Sequence, residues 1–245
     1  MNRRQFLWVA ILAGWMQASI WAPADETIPP FMGDWEGRWI EMPEKSQWIE
    51  NRYLVARVIG LGGDEYEVQL LQEFDKRAPV YISTRATAEQ GRISVSEGHW
   101  KFEIDERDFR GSLIEEKGPA LFSLKKVKRE SPTLGRQAPD GAVVLVGGAG
   151  LKAWRHAKGR KFDWSEIGNS MVVVPRKGGD AFTKKKFGDC ELHMEFRLPY
   201  EPTKRGQGRA NSGVFFQDGS YEVQILDSYG LEGRWNECGA LYKVA

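Results

Sequence analysis

The sequence has few histidines and no excess of charge of either sign, and these two features exclude several classes of function. It has only three histidines, at positions 99, 156 and 193, and none lies in a nucleophile motif. A hydroxyl–histidine–acid or thiol–histidine catalytic set is therefore not indicated. The 35 basic residues nearly cancel the 34 acidic ones, leaving a net charge of +1. Without an excess of positive charge, we expect no general attraction for nucleic acid or for an anionic membrane.

Nucleotide-binding motifs and long apolar runs are also missing. The glycine-rich stretch 147–150 is not followed by Gly-Lys-Ser/Thr, and no dinucleotide fingerprint is present. The longest apolar stretch, residues 6–20, is shorter than the roughly 20 residues that span a bilayer. Two arginines precede it and Ala22-Pro23-Ala24 follows it, so residues 1–24 are predicted to be a cleavable signal peptide. We expect no stable membrane span after its removal.

The start of this signal has two interpretations. The run Asn2-Arg3-Arg4-Gln5-Phe6-Leu7 resembles the twin-arginine export signal, which would mean export in the folded state by a bacterium. An ordinary secretory signal with two adjacent arginines remains the alternative. Either way, the expected location is periplasmic or extracellular.

The chain has two cysteines, Cys190 and Cys238. Export would permit a disulfide between them. However, Cys190 shares a strand parity with Leu192, Met194 and Phe196, which points its side chain toward an apolar core. A bridge and a buried free thiol both remain open.

Short alternating runs between turn residues fill residues 31–128, as in Trp35-x-Gly37-x-Trp39 and Trp100-x-Phe102-x-Ile104. A period of two predicts an all-β antiparallel meander that packs on itself or curls into a barrel. Residues 129–141 contain two prolines and two glycines and few apolar residues, which predicts a linker. Residues 142–245 again read as a β-domain, and Asp218-Gly219 marks a hairpin turn between two of its strands. Seven tryptophans follow the signal, and filling β-cores is the expected role for most of them.

Two strands of this second domain carry polar residues on one face. Alternation in residues 191–198 places Glu191, His193, Glu195 and Arg197 together, either as a solvated outer face or, on weaker grounds, as part of a metal site. Residues 221–230 place Glu222 and Gln224 on one face with Val223 and Ile225 on the other. A carboxylate and an amide two residues apart on a sheet can bind vicinal sugar hydroxyls.

Further candidate residues lie around this pair. Asp227 has the opposite parity and is interpreted as a rim or strand-end residue, and Asn211 precedes the hairpin. The basic segment 204–209, rich in glycine, is predicted to be a mobile solvated loop rather than a phosphate or nucleic-acid site.

These segments resemble a known family. The stretches Gly188–Arg197, Asn211-Ser-Gly-Val-Phe-Phe216, Tyr221-Glu-Val-Gln-Ile-Leu-Asp-Ser228 and Cys238-Gly-Ala-Leu-Tyr242 are similar to the 3-keto-disaccharide hydrolase family. The linker Ser131–Gly135 and the opening Gly33–Gly37 resemble exported members that have an extra N-terminal β-domain. The resemblance implies a concanavalin-A-like jelly-roll sandwich and a carbohydrate substrate, an oligosaccharide or glycoside. Such a sandwich usually needs about 180 residues or more, so 142–245 is expected to be a partial domain whose activity in this short form is in doubt.

The resemblance also implies a chemistry. A ketone at C3 of a sugar acidifies the hydrogen at C2, so a base can start an elimination, while direct hydrolysis by two carboxylates is the competing mechanism. Glu222 is the candidate catalytic acid/base, and no metal ligand is assigned. The candidate substrate-binding residues are Gln224, Asn211, Asp227, Glu195 and Arg197. A non-catalytic carbohydrate-binding protein on the same sandwich, with tryptophans as stacking platforms, is the alternative. A scaffold whose N-terminal half engages another envelope protein is a weaker third option.

Overall fold

The structure is a computed structural model that describes residues 5–13, 28–44, 46, 48–74, 78–147, 150–167, 170–173, 179–231 and 235–244. Its regular elements are β-strands with short 3-10 turns between them, which confirms the all-β class for this part of the chain. Among these residues, no helix has the length and apolar character needed to cross a membrane.

The strands are numbered in chain order. The first nine are β1 (Gln5–Ala13), β2 (Gly33–Glu41), β3 (Tyr53–Gly62), β4 (Glu65–Leu71), β5 (Val80–Glu89), β6 (Arg92–Glu97), β7 (Trp100–Ile104), β8 (Phe109–Glu115) and β9 (Gly118–Val127). The others are β10 (Val143–Val144), β11 (Trp154–Arg155), β12 (Ser165–Ile167), β13 (Ser170–Val173), β14 (Phe182–Thr183), β15 (Cys190–Arg197), β16 (Asn211–Phe216) and β17 (Tyr221–Leu226).

Contacts divide the chain into two compact units. One contains residues 1–21 and 130–199, and the other contains residues 22–129 and 200–245. The predicted division into a β-domain at 31–128, a linker at 129–141 and a domain at 142–245 stays a prediction.

Strands β2 to β9 form a closed antiparallel barrel, because β9 pairs back onto β2. The sequence left a packed sheet and a barrel open, and the structure shows the barrel. Strand alternation turns one face of each strand inward, where aromatic side chains fill the interior. The largest of them are Trp35, Trp39, Tyr66, Phe109 and Phe122, each at most 2% exposed.

The other unit contains a five-stranded sheet in which β1 lies between β15 on one edge and β10 and β13 on the other. Its core contains Leu145, Trp154 and Met171. Cys190, Leu192 and Met194 of β15 pack against this core, which confirms the predicted alternation for them, whereas Phe196 is 40% exposed. The jelly-roll sandwich stays a prediction, as does removal of the segment that contains β1.

Both cysteines are free thiols. Cys190 is half-buried and Cys238 is exposed. Of the two alternatives left open by the sequence, the structure therefore shows unpaired thiols, with Cys190 against the core and not fully enclosed.

Tryptophan burial follows the expected packing role in four cases. Trp35, Trp39, Trp100 and Trp154 are buried, whereas Trp48 and Trp235 are 57% and 39% exposed. Most indole rings are therefore core material, and only the exposed ones could stack on a ligand.

Candidate active site on a C-terminal hairpin

The candidate site lies on the hairpin of β16 and β17. The two strands pair from Asn211 opposite Leu226 to Phe216 opposite Tyr221, and the turn contains the predicted Asp218-Gly219 pair. Residues directly opposite each other in an antiparallel pair share a face. The register therefore places Asn211, Gly213 and Phe215 on the same face as Glu222 and Gln224. The full pairing is Asn211–Leu226, Ser212–Ile225, Gly213–Gln224, Val214–Val223, Phe215–Glu222 and Phe216–Tyr221.

A third segment, residues 239–242, lies along the free edge of β17. Gln224 donates its backbone N–H to the carbonyl of Ala240 at 2.9 Å, and Tyr242 donates to the carbonyl of Glu222 at 2.9 Å. An isolated antiparallel bridge joins Val223 and Leu241. Strand β17 is thus central, and Tyr242 lies opposite Glu222 on the side away from β16.

The Glu222 carboxylate lies over a glycine. A Cβ atom built on Gly213 would come within 2.2 Å of Oε1 of Glu222 and within 2.9 Å of its Cδ. Glu222 is half-buried, and among the described residues its carboxylate has no hydrogen-bond or ion-pair partner. A carboxylate in this position is available to accept a proton from a bound molecule.

Aromatic side chains flank this carboxylate. Phe215, directly across from Glu222 on β16, is 56% exposed. On the other side, Tyr242 packs edge-to-face against the ring of Trp235, with ring centroids 5.4 Å apart. In such an arrangement, the exposed rings can pack against the apolar face of a sugar while the carboxylate between them contacts the polar edge of the same sugar.

Gln224 and Asn211 are tied together through a third amide. The Gln224 Nε2 group donates to Oε1 of Gln207 at 2.9 Å and lies 3.3 Å from Oδ1 of Asn211. Asn211 donates from Nδ2 to the backbone carbonyl and to Oε1 of Gln207, at 2.9 and 3.0 Å. Gln224 is only 1% exposed, whereas Asn211 is exposed. In this arrangement, both N–H groups of the exposed Asn211 are engaged, its Oδ1 can still accept a hydrogen bond from a ligand, and Gln224 holds it in place.

Asp227 follows the end of β17, as the sequence predicted for a strand-end residue. Its carboxylate lies 3.3 Å from Nη2 of Arg209 and 19% of its side chain is exposed. Arg209, which is 3% exposed, also donates from Nε to the carbonyl of Asp227 at 2.8 Å and from Nη2 to the carbonyl of Tyr229. Burial lowers the pKa of Arg209, and Asp227 opposes that shift.

The prediction of a solvated basic loop at 204–209 is therefore wrong for Arg209. Its guanidinium is buried because it satisfies carbonyl groups at the end of β17. Lys204 is also engaged, since its Nζ contacts Oε1 of Glu201 at 2.5 Å. Oε2 of Glu201 in turn accepts the backbone N–H of Ala210 at 2.8 Å. Although burial raises it, the pKa of Glu201 is lowered overall, because Lys204 and this N–H favour the charged form.

The candidate residues Glu195 and Arg197 belong to the other unit. Oε1 of Glu195 accepts the backbone N–H of Gly135 at 2.6 Å and lies 3.1 Å from Nε2 of His193. Glu195 thus ties the predicted linker to β15. Arg197 is exposed at the end of β15.

Neither a metal centre nor the surface groove of the barrel adds residues to the site on the hairpin, as far as the described residues show. Within the described residues, no group of three or more His, Cys, Asp or Glu side chains is placed to hold a metal ion. A shallow groove of about 490 Å³ lies on the barrel at β6, β7 and β8 and shares no residue with the hairpin. Its lining comprises Ser94, Val95, Ser96, Lys101, Phe102, Glu103, Arg110 and Gly111.

Sequence reasoning missed several residues of this site. The role of Gly213 requires the register of the hairpin, which the turn Asp218-Gly219 signals only roughly. Phe215 also follows from that register. Tyr242 and Gln207 had no usable local signal, because their positions depend on the third segment and on the turn that precedes β16.

The chain was compared with curated proteins, solved structures and protein families. No curated protein matches it. A crystal structure of zebrafish ileal bile acid-binding protein complexed with cholic acid is 14% identical over 40% of this chain and 100% of that chain, with a TM-score of 0.26. The siderocalin Ex-FABP, described as having dual ligand specificities, is 16% identical over 43% of this chain and 79% of that chain, with a TM-score of 0.27. Scores this low establish no shared fold.

The C-terminal part of the chain gives a clearer result. A family model described as the 3-keto-alpha-glucoside-1,2-lyase-like domain matches residues 141–245. The matched range contains β15, the hairpin and the segment opposite Glu222, which carried the resemblance seen in the sequence. The match over residues 141–245 therefore supports the resemblance of this part of the chain to the 3-keto-alpha-glucoside-1,2-lyase-like family.

Proposed function

We propose that this protein cleaves 3-keto glycosides, with Glu222 as the general base. The observation that carries the proposal is the half-buried Glu222 carboxylate, which lies over Gly213 and has no partner among the described residues. A base that is already engaged in an ion pair would have to give up that pair before it could accept a proton. Glu222 can accept a proton without first breaking an ion pair.

The proposed reaction is an elimination across C1 and C2 of the oxidised sugar. The C3 ketone withdraws electrons, so Glu222 removes the proton on C2 and the electron pair of that C–H bond forms an enolate. The enolate then expels the glycosidic oxygen from C1, leaving a double bond between C1 and C2, and the departing alkoxide takes up a proton. Water adds across this double bond to give the free 3-keto sugar. The term lyase in the family description fits this order of steps.

Direct hydrolysis, the competing mechanism, needs two carboxylates flanking the scissile bond. Near the hairpin, Asp227 is paired with Arg209, and Glu201 is bonded to Lys204 and to the backbone N–H of Ala210. Of the carboxylates that the structure describes near the hairpin, Glu222 thus remains available for proton transfer, and one available base is what elimination requires.

The surrounding residues have roles that follow from their exposure. Asn211 presents an exposed amide for sugar hydroxyls, and the buried Gln224 fixes its position through Gln207. Phe215 and Trp235 offer exposed ring faces for the apolar side of a sugar ring. Within this proposal, the matched region forms part of a concanavalin-A-like sandwich, and the protein works outside the cytoplasm.

The second candidate function is carbohydrate binding without turnover. The exposed rings of Phe215 and Trp235 favour it, because stacking alone gives affinity for a sugar. The two functions differ in what they return to solution: an enzyme releases altered sugar, whereas a binding protein returns its ligand intact.

Product analysis separates these functions. The protein is incubated with a 3-keto disaccharide in deuterated water, and the products are resolved by chromatography and mass spectrometry. The proposal predicts release of the free partner sugar and deuterium at C2 of the 3-keto sugar, because C2 regains a hydrogen from solvent when water adds. Intact disaccharide together with measurable affinity would establish the binding protein instead. Cleavage without deuterium at C2 would support direct hydrolysis.

A further inference from the structure

We propose that the N-terminal barrel positions the candidate active site through a hydrogen bond between Asp34 on β2 and Tyr229, just beyond the end of β17. This inference rests on the proposed function and assigns a role to the barrel. The barrel and residues 200–245 lie in the same compact unit, so the contacts between them are internal to it.

The bond itself is well defined. The Tyr229 hydroxyl donates to Oδ1 of Asp34 at 3.0 Å, across 195 positions of sequence. The backbone of Val58 on β3 also lies beside this hydroxyl and slightly opposes the rise in its pKa. Burial raises the pKa of Tyr229 well above its usual value, with Asp34 adding to the shift, so the phenol stays protonated and able to donate. Asp34 is held from its other side by Nε of Arg129 at 3.4 Å.

Backbone packing accompanies this bond. A Cβ atom on Gly230 would lie 2.2 Å from Cδ1 of Ile59, and a Cβ atom on Gly60 would lie 2.4 Å from the hydroxyl oxygen of Tyr200. Both glycines therefore allow strand β3 and the C-terminal segments to approach closely. The sequence carries no local signal for this contact, because it joins segments far apart in the chain.

Tyr229 is connected to the site through the end of β17. Arg209 bonds the carbonyls of both Asp227 and Tyr229, so it clamps the residues that follow the strand. Asp227 donates its backbone N–H to the carbonyl of Ala210, which directly precedes Asn211. A barrel that fixes Tyr229 therefore fixes both the end of β17 and the start of β16, the strands that carry Glu222 and Asn211. Tyr229 and Asp34 are positioning residues in this scheme and do not touch substrate.

The test compares Tyr229→Phe and Asp34→Asn with Tyr53→Phe. Tyr53 also donates a phenolic hydrogen bond to a carboxylate of the same barrel strand, Glu36 at 2.7 Å, and therefore provides a matched control. Hydrogen exchange is measured by mass spectrometry on peptides from the barrel and from residues 210–231. Exchange reports position and order directly, independent of any catalytic activity.

We expect Tyr229→Phe and Asp34→Asn to speed exchange in 210–231 about tenfold while leaving β5 to β8 unchanged. The double variant should behave like either single variant, because both remove one bond. If the wild type turns over substrate, kcat should fall about tenfold in both variants and stay unchanged in Tyr53→Phe. Unchanged exchange in 210–231, or an equal rise throughout the barrel, would overturn the inference. Inactive wild-type protein with the expected exchange pattern would reject the proposed function and leave the positioning role standing.

Discussion

At Gly213, a missing side chain determines where the Glu222 carboxylate lies. The glycine does not have a positive φ, so conformational freedom is not its purpose. Glycine leaves room here for the Glu222 carboxylate, because the Cβ atom of any other residue would lie 2.2 Å from Oε1 of Glu222. The sequence predicted Glu222 as the acid/base, and its face was given by strand alternation alone. The need for glycine opposite Gln224 could not be predicted, since it depends on a register between two strands.

The substitution Gly213→Ala tests this use of space. The methyl group should push the flexible Glu222 side chain aside while the hairpin stays paired, because the clash is with side-chain atoms and not with backbone. We expect turnover to fall at least about tenfold with the unfolding midpoint nearly unchanged. Gly188→Ala is the control, since a Cβ there meets nothing within 4 Å. Wild-type turnover in Gly213→Ala would show that Glu222 need not occupy this position.

Gln224 gives a second residue-scale prediction. Its 1% exposure and its amide contacts to Gln207 and Asn211 mean that a leucine here leaves buried polar groups without partners. Gln224→Leu should lower the free energy of unfolding by about 1–3 kcal/mol, measured by urea denaturation. A change below about 0.5 kcal/mol would indicate that the amide serves substrate binding and not the fold.

Among the elements, the barrel strands and the hairpin differed in how far they could be predicted. Alternation and turn residues located the strands, and Asp218-Gly219 marked the β16–β17 hairpin. Closure of the barrel was not predictable, because it depends on pairing of β2 with β9, whose residues lie about 90 positions apart. The placement of residues 239–242 beside β17 was likewise a long-range outcome of packing.

Closure of the barrel by β2 and β9 depends on the absence of a side chain at Gly37 on β2. A Cβ atom there would lie 2.1 Å from the backbone carbonyl oxygen of Ser123 on β9. Because backbone cannot move aside as a side chain can, Gly37→Ala should force the closing strands apart and destabilise the barrel by about 1–3 kcal/mol in urea unfolding. Ser94→Ala on the exposed outer face of β6 should stay within about 0.5 kcal/mol of wild type. Equal stability of all three proteins would contradict the tight β2–β9 approach.

For the whole molecule, several tyrosines link stability to alkaline pH. Burial raises the pKa of Tyr66 to about 12, and burial together with the Glu36 carboxylate raises that of Tyr53 to about 12. Burial also raises the pKa of Tyr229 well above the usual 10. The unfolded chain therefore loses phenolic protons at a pH where the folded chain still keeps them. The contribution of these tyrosines to the free energy of unfolding should be fully present below about pH 10 and should be lost as the pH rises above it.

Urea unfolding at pH 8 and pH 11 checks this dependence. Wild-type protein should lose stability between the two, and Tyr229→Phe should lose less, because one raised phenol is gone. An identical loss in both proteins would show that Tyr229 is not enclosed beside Asp34 as described.

At the scale of the whole molecule, the family could be predicted from the sequence, whereas the long-range contacts could not. The family of residues 141–245 was recognisable from short motifs, since strings such as Tyr221–Ser228 are specific without any knowledge of packing. The attachment of residues 200–245 to the barrel was not, because Asp34 and Tyr229 carry no local signal for each other. The basic loop was misjudged for the same reason, since the partners of Arg209 are carbonyls about 20 positions away.

The most direct test of the account is turnover of a 3-keto disaccharide by Glu222→Gln. Glutamine keeps the size of the side chain and removes the proton acceptor, so binding and folding should persist while kcat falls at least about a hundredfold. Glu89→Gln, at an exposed carboxylate of the β5–β6 hairpin, should match wild type. Loss of turnover with retained sugar binding would support Glu222 as the base, and turnover equal to wild type would contradict it.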